Sequence, residues 1–293
     1  MSAHEKKRRL KKRHKKINRS PVTTFFLFLF IAGMGMFMIF PLILIIGNSF
    51  KPLNELWIFP PRLLPIRPTM RNYQDMFTVM SDSIIPFSRY LFNTLLVTVL
   101  GTAGHIILSS MCAYPLAKKK FPGRNIFFAL IMMALMFNAT VTAIPNYITM
   151  ASLGWINTYL PLIVPAFSAP LGLYLMKQFM EQIPDPIIES ARIDGASQWK
   201  TFWLIIMPNV KSAWLTLMLL SVQGLWNMGA TSFVFSEELK TLAYALSQIL
   251  AGGIARQGVG NAVSVVMMSV PILIFIFTQA NIIETMSSSG IKD

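Results

Sequence analysis

The stretch from Glu189 to Pro208, ESARIDGASQWKTFWLIIMP, is charged and small at its start and lies between two long apolar segments. Just before it, Asp185 is placed to cap a helix whose first residue is Pro186, a position that needs no amide donor. Ile187 to Asp194 then make about two turns, and Gly195 supplies a left-handed stop. Ser197 is placed to cap a second helix from Gln198 that ends or kinks near Pro208. The spacing predicts two short helices meeting at an elbow over residues 184–208, outside the membrane. Ser190, Ala191, Gly195 and Ala196 keep that elbow narrow enough to enter a partner's groove, and Glu189, Arg192 and Asp194 supply orienting charges at the rim. A solvated connector explains the same residues equally well.

The flanking segments set the fold class. Of 293 residues, 54% are hydrophobic and only 13% charged, which is membrane composition. Five stretches carry no Asp, Glu, Lys or Arg: Ser20 to Phe50, Tyr90 to Ala117, Asn125 to Met176, Ser212 to Ser236 and Gln257 to Ile283. One crossing takes about 20 apolar residues, so the third stretch holds two. The expectation is an all-α polytopic membrane protein with six transmembrane helices and both termini on one face. The tail before Ser20 carries Lys6 to Arg9, Lys11 to Arg13, Lys15, Lys16 and Arg19. Lys118, Lys119, Lys120, Arg124, Lys177, Arg192, Lys200, Lys211 and Lys292 fall on the same side. The positive-inside rule makes that face, and both termini, cytoplasmic.

The net charge of +14 does not point to nucleic acid, because its main block precedes a membrane helix without interleaved aromatic residues. It reads as a topology signal that also touches anionic lipid of the bilayer. The first apolar run is too long for a secretory signal and has no small-x-small site after it, so the first span is expected to be retained. Cys112 is the sole cysteine, which rules out an intramolecular disulfide, and it reads as a small packing residue. With only His4, His14 and His105 besides, no metal-ligand cluster forms.

Residues 1–20 form a basic cytoplasmic tail, and 21–87 hold the first span plus an external Pro-rich loop. Residues 88–283 form the core with spans two to six, and 284–293 a cytoplasmic tail. The spans are expected at about Thr23 to Gly47, Tyr90 to Ala117, Ile126 to Ile148, Leu160 to Phe179, Asn209 to Phe235 and Ala262 to Ile283. Pro161, Pro165 and Pro170 predict a kinked or broken fourth span. Leu239, Leu242, Leu246 and Ile249 at helical spacing predict a short external amphipathic helix.

The spacing Glu-x-Ala-x-x-x-Gly from Glu189, followed after nine residues by Ile-x-Met-Pro, resembles the cytoplasmic "EAA" loop of binding-protein-dependent ABC importer permeases. Glu189, Ala191 and Gly195 match its acidic, small and glycine positions, and Ile205 and Pro208 its end. Ser190 and Met207 depart from it by near-isosteric changes. SFKPLNEL, FPPRLLP and PTMRNYQDMF after the first span, LGWINTYLP before the fourth, and Trp226–Asn227 in QGLWNMGATSF resemble the maltose-type oligosaccharide permeases. The resemblance covers about Met34 to Thr278, whereas the ending IETMSSSGIKD departs from the basic, glycine-containing tail common there.

It implies a type I ABC importer permease (MetI-like) fold in a bacterial cytoplasmic membrane. Glu189, Ser190, Ala191, Arg192, Asp194, Gly195 and Ala196 would then dock on two separate ATPase subunits that use ATP and Mg. It also implies a second, similar permease chain as heterodimer partner, an external solute-binding protein, and a sugar substrate. Oligosaccharides fit best, with acidic ones such as alginate or pectin fragments among the candidates and a non-sugar solute as the alternative. This chain itself is expected to bind no cofactor and to be no enzyme, since it has no G-x-x-x-x-G-K-[ST] loop and no nucleophile or acid-base constellation. An ATP-independent secondary transporter predicts ionisable residues within the spans, and apart from Lys177 and Lys211 at span ends only His105 qualifies.

Polar side chains at bilayer depth mark either a pathway or glue between helices. Asn93, His105, Asn138, Asn146, Gln223 and Asn227 are the candidates. Asn138, Asn146, Gln223 and Asn227 fall in the spans that line the path in the resembling family, and Trp226, like Tyr147 and Trp155, offers an aromatic face to a sugar ring.

Overall fold

The computed structural model describes residues 21–81, 85–137 and 139–289, so the basic tail, Asn138 and the last four residues lie outside the described residues. Its main helices are α1 (Pro21–Ser49), α2 (Arg71–Ser81), α3 (Phe87–Lys118), α4 (Arg124–Met136), α5 (Ala139–Ser152) and α6 (Leu160–Phe167). They continue with α7 (Pro170–Glu181), α8 (Asp185–Ile193), α9 (Gln198–Asn209), α10 (Lys211–Trp226), α11 (Leu242–Ala251) and α12 (Gln257–Ser289). No strand occurs among the described residues.

Helix α3 is the hub, because its buried face is built from small and hydroxyl-bearing residues: Thr94, Val97, Thr98, Gly101, Thr102, His105, Ser109 and Ala113. Such a stripe lets neighbouring backbones come close where no hydrophobic force separates protein from lipid. A Cβ at Gly101 would stand 2.6 Å from Leu225 of α10, and one at Gly104 would overlap the Phe167 ring of α6. Helices α6, α7 and α10 pack directly on α3, and α12 packs on α10, α11, α2 and α1. Helix α1 is apolar all round, and its strongest 18-residue window buries nothing inside the chain. Its surface is left for lipid or for another protein.

Four helices are long and apolar enough to cross a membrane alone: α1, α3, the α6–α7 pair as one stretch, and α12. The pairs α4–α5 and α9–α10 pass the same test only together, each bent at a break. The expected third span is therefore two helices. The fourth is broken at Ser168 and Ala169, as its prolines predict.

The fifth departs most, since α10 starts after a 77° bend at Val210 and ends at Trp226 instead of Phe235. Residues 227–236 carry no charge, but their backbone bonds go elsewhere. Asn157, at φ 61°, accepts the amides of Phe235 (3.1 Å) and Ser236 (2.8 Å) through Oδ1, and its own amide donates to the Phe233 carbonyl. The sixth helix starts at Gln257, ahead of the expected Ala262. Of the predicted amphipathic stretch, Leu242, Leu246 and Ile249 fall in α11, with Leu242 and Ile249 buried and Leu246 half-buried, while Leu239 ends a separate 3-10 turn before it.

Candidate functional site

Helices α8 and α9 form the expected elbow. Gly195 has φ +78° and closes α8 by a paired motif: its amide donates to the Arg192 carbonyl (3.0 Å) and the Ala196 amide to the Ala191 carbonyl (2.9 Å). This Schellman geometry satisfies carbonyls the helix end would otherwise leave unpaired. The Ser197 hydroxyl accepts from the Lys200 amide and caps α9.

Asp185 does not act as a cap. Helix α8 begins with it, and its carboxylate turns to Lys118 Nζ at 2.8 Å, a cation at the end of α3 that outcompetes neutral amides. The hydrogen bond and charge of Lys118 hold the Asp185 carboxyl below its ordinary range. Lys118, with a side chain 7% exposed, also donates to the Ile183 carbonyl. Arg124 (3.0 Å) and Lys177 (2.8 Å) share the Glu181 carboxylate, Lys177 sits 3.7 Å from the Phe128 ring centre, and Lys119 donates to Gln198. The basic turn after α3 thus clamps the elbow to the bundle.

Beneath the clamp, Ile188 enters a buried cluster with Tyr114, Met176, Met180, Ile183, Phe202, Ile206 and Leu217. Residues Phe202–Ile206 form a π-helical turn. Pro208 has no amide for the preceding turn, and the Asn209 side chain donates to the Ile205 carbonyl (2.7 Å) while the Trp214 indole donates to the Met207 carbonyl (3.3 Å). This joint carries the elbow into α10.

Of the elbow residues singled out by sequence, Glu189, Ser190, Arg192, Asp194 and Gly195 are exposed together, and Ala196 is half-buried. Ala191 is the exception at 6% exposure: it faces the bundle, so its small size serves packing beneath the elbow and not its outer width. The outward tip holds a residue that sequence reasoning missed, Ile193, which is 86% exposed, with Trp199 at 60% nearby in sequence. The signal was register: Ile193 lies about 140° around a helix from Ile188, off the buried stripe. Ile193 thus leaves an apolar side chain uncovered by this chain next to the Gly195 turn.

A cavity of about 1280 Å3 opens between α3, α4, α5 and the α6–α7 break. Asn146 lines it, together with Ser109, Thr142, Ser168 and the exposed thiol of Cys112. Cys112 is therefore a wall residue and not buried packing. Gln223 lines a separate recess of about 410 Å3 with Pro271 and Phe275 of α12, and the Asn227 side chain bonds the Gln223 carbonyl at 2.8 Å. Trp226 is fully buried, and its indole donates to the Met267 carbonyl at 2.8 Å. It is core, and offers no face to a sugar. Tyr147 stacks on Phe233 at 6.2 Å. Asn93 joins helices, bonding the Glu238 and Lys240 carbonyls and the Tyr159 hydroxyl. Asn138 lies outside the described residues.

A bundle of broken apolar helices with an open groove on one flank and a clamped elbow has the make-up of a membrane permease, and the comparisons with known proteins agree. Residues 105–287 match the binding-protein-dependent transport system inner membrane component family, and the chain belongs to it. Protein LplC of Bacillus subtilis is 34% identical over 204 residues, which are 68% of this chain and 65% of LplC. The arabinooligosaccharides transport system permease protein AraQ of Halalkalibacterium halodurans is 28% identical over 281 residues, 93% of this chain and 98% of AraQ. The fold is similar to that of a bacterial ABC transporter involved in the import of the acidic polysaccharide alginate, with TM-score 0.74 and 23% identity over 90% of this chain and 98% of that one.

Proposed function

We propose that this chain is one permease subunit of an ATP-driven, binding-protein-dependent importer of sugars, with oligosaccharides as cargo. The carrying observation is the elbow, a clamped, Schellman-closed knob with Ile193 exposed at its tip beside Glu189, Arg192 and Asp194. Two ATPase subunits take up ATP and Mg and grip these elbows, one on this chain and one on a second permease chain that pairs with it. Closing of the ATPase pair displaces α8 and α9, and the joint at Val210 passes the displacement to α10. An external solute-binding protein delivers the cargo, and Asn146, with Gln223 and Asn227 at the far end of α10, forms the polar part of its path. The arabinooligosaccharide relatives and the fold shared with an alginate importer support a sugar cargo, neutral or acidic.

Six crossings, with both termini cytoplasmic, fit the contacts. The end of α3 and the elbow share one side through Lys118 and Asp185. The start of α3, the turn before α6 and the segment before α11 share the other, through Tyr90 with Glu237 and Asn157 with Ser236. The α4–α5 pair joins those two sides, so it counts as one crossing, and α10 counts as another.

Affinity purification of the tagged chain from its native membrane tests the reading. A second permease, two ATPase copies and a retained oligosaccharide are expected; a chain recovered without an ATPase would refute it.

A further inference from the structure

His105 lies on the buried face of α3, and its two ring nitrogens engage two different elements. Nε2 is 3.2 Å from the Ala169 carbonyl, at the break between α6 and α7. Nδ1 is 2.7 Å from Ser221 Oγ on α10. A carbonyl only accepts, so Nε2 donates to Ala169, while Nδ1 and the Ser221 hydroxyl share the second bond, in which the hydroxyl can take either role.

The break exposes backbone carbonyls in an apolar layer, where each needs a partner. His105 supplies one from across the helix interface. The approach is close, since a Cβ at Gly172 would stand within 2.6 Å of Ser109 Oγ and overlap the His105 ring. The far side of the same break, Ser168 to Pro170, is wall of the large cavity. Helix α10, which holds Ser221, begins directly after the bend that joins it to the elbow. One imidazole therefore stands between the helix leading from the elbow and the wall of the cavity. Apolar contacts such as the cluster of Val97 with Leu225 let helices slide, whereas two directed hydrogen bonds at one ring fix a distance.

We propose that His105 is a positioning residue that makes the cavity wall at Ser168–Pro170 follow α10, so that the cavity opens and closes with the elbow. This rests on the reading of the chain as an ATP-driven permease. The amide of Gln at this position reproduces the Nε2 donor, and that of Asn reproduces the Nδ1 site. His105→Gln and Ser221→Ala therefore cut the link to α10 while the break stays capped, and His105→Asn does the reverse.

The test uses the whole importer in proteoliposomes, with uptake, ATP hydrolysis and maleimide labelling of Cys112 measured in parallel. Cys112 is this chain's one cysteine and reports from the same cavity. His105→Gln and Ser221→Ala are expected to assemble and hydrolyse ATP as the parent does, with uptake per ATP reduced about fivefold, the effect of one ordinary hydrogen bond. Their Cys112 labelling rate should respond to nucleotide correspondingly less than the parent's, and His105→Asn should behave likewise. Parental uptake per ATP and parental nucleotide-dependent labelling in these variants would overturn the proposal, as would equal losses of assembly, hydrolysis and uptake, which mark a packing residue. A parental assembly that neither hydrolyses ATP nor takes up any sugar would overturn the permease reading and this inference with it.

Discussion

Gly195 combines a left-handed backbone with open space, since an added Cβ would meet nothing within 4 Å. Within this chain a side chain there costs only the backbone term, on the order of 1–2 kcal/mol, and less for Asn, which visits that region readily. Against a partner pressed onto the elbow, bulk costs more than conformation. Gly195→Asn and Gly195→Val should both insert and fold, while Gly195→Val loses ATPase attachment by far the more strongly; equal attachment of both in co-purification would remove the close-docking argument.

The Lys118–Asp185 pair makes a different demand. Its carboxyl is held below the ordinary value near 3.9, so its contribution is complete above that value and fades as pH falls through the lowered one. Between pH 5 and 8 the pair should therefore add no pH dependence. Asp185→Asn should lower the melting temperature of the purified importer by the same amount at pH 5, 6.5 and 8, and a deficit that grows across that range would mean another group is paired with Lys118.

At the scale of the helix, the elbow works as a lever only if its underside is solid. Ile188 is 4% exposed in the cluster with Phe202 and Ile206, and truncating such a residue typically costs 2–5 kcal/mol. Ile188→Ala should raise amide exchange across α8 and α9 and weaken stimulation of ATPase activity by the loaded binding protein, with α3 left protected. Unchanged exchange in α8 would detach the elbow from the bundle.

The elbow was legible in sequence because its determinants are local: Pro186 and Ser197 start the helices and Gly195 stops the first. Asp185 was misread because the winning partner, Lys118, is 67 positions away. The end of α10 was misread for the same reason, since the bonds that hold residues 228–236 come from Thr241 and from Asn157, far away in sequence. Trp226 was read as an aromatic face for a sugar because nothing local says that its indole is spent on Met267.

For the whole molecule, the strongest test is of sidedness, because the elbow has meaning only where ATP is found. Hydropathy alone leaves the two bent pairs ambiguous, since each could cross or turn back. If α4–α5 turned back, Asn157 would share a side with Lys118, and its bonds to Phe235 and Ser236 would have to span the bundle. If α10 turned back, Met228 would share a side with the elbow, yet it accepts from Thr241, whose neighbour Leu242 donates to Thr94 near the start of α3. Single cysteines placed at exposed positions in a Cys112→Ser background separate the cases with an impermeant maleimide. Gly154 and Phe59 should label from outside in intact cells, and Asp194 and Lys120 only after the membrane is breached. Labelling of Asp194 in intact cells would put the elbow out of reach of any ATPase, while shielding of Gly154 would reduce α4–α5 to a re-entrant pair.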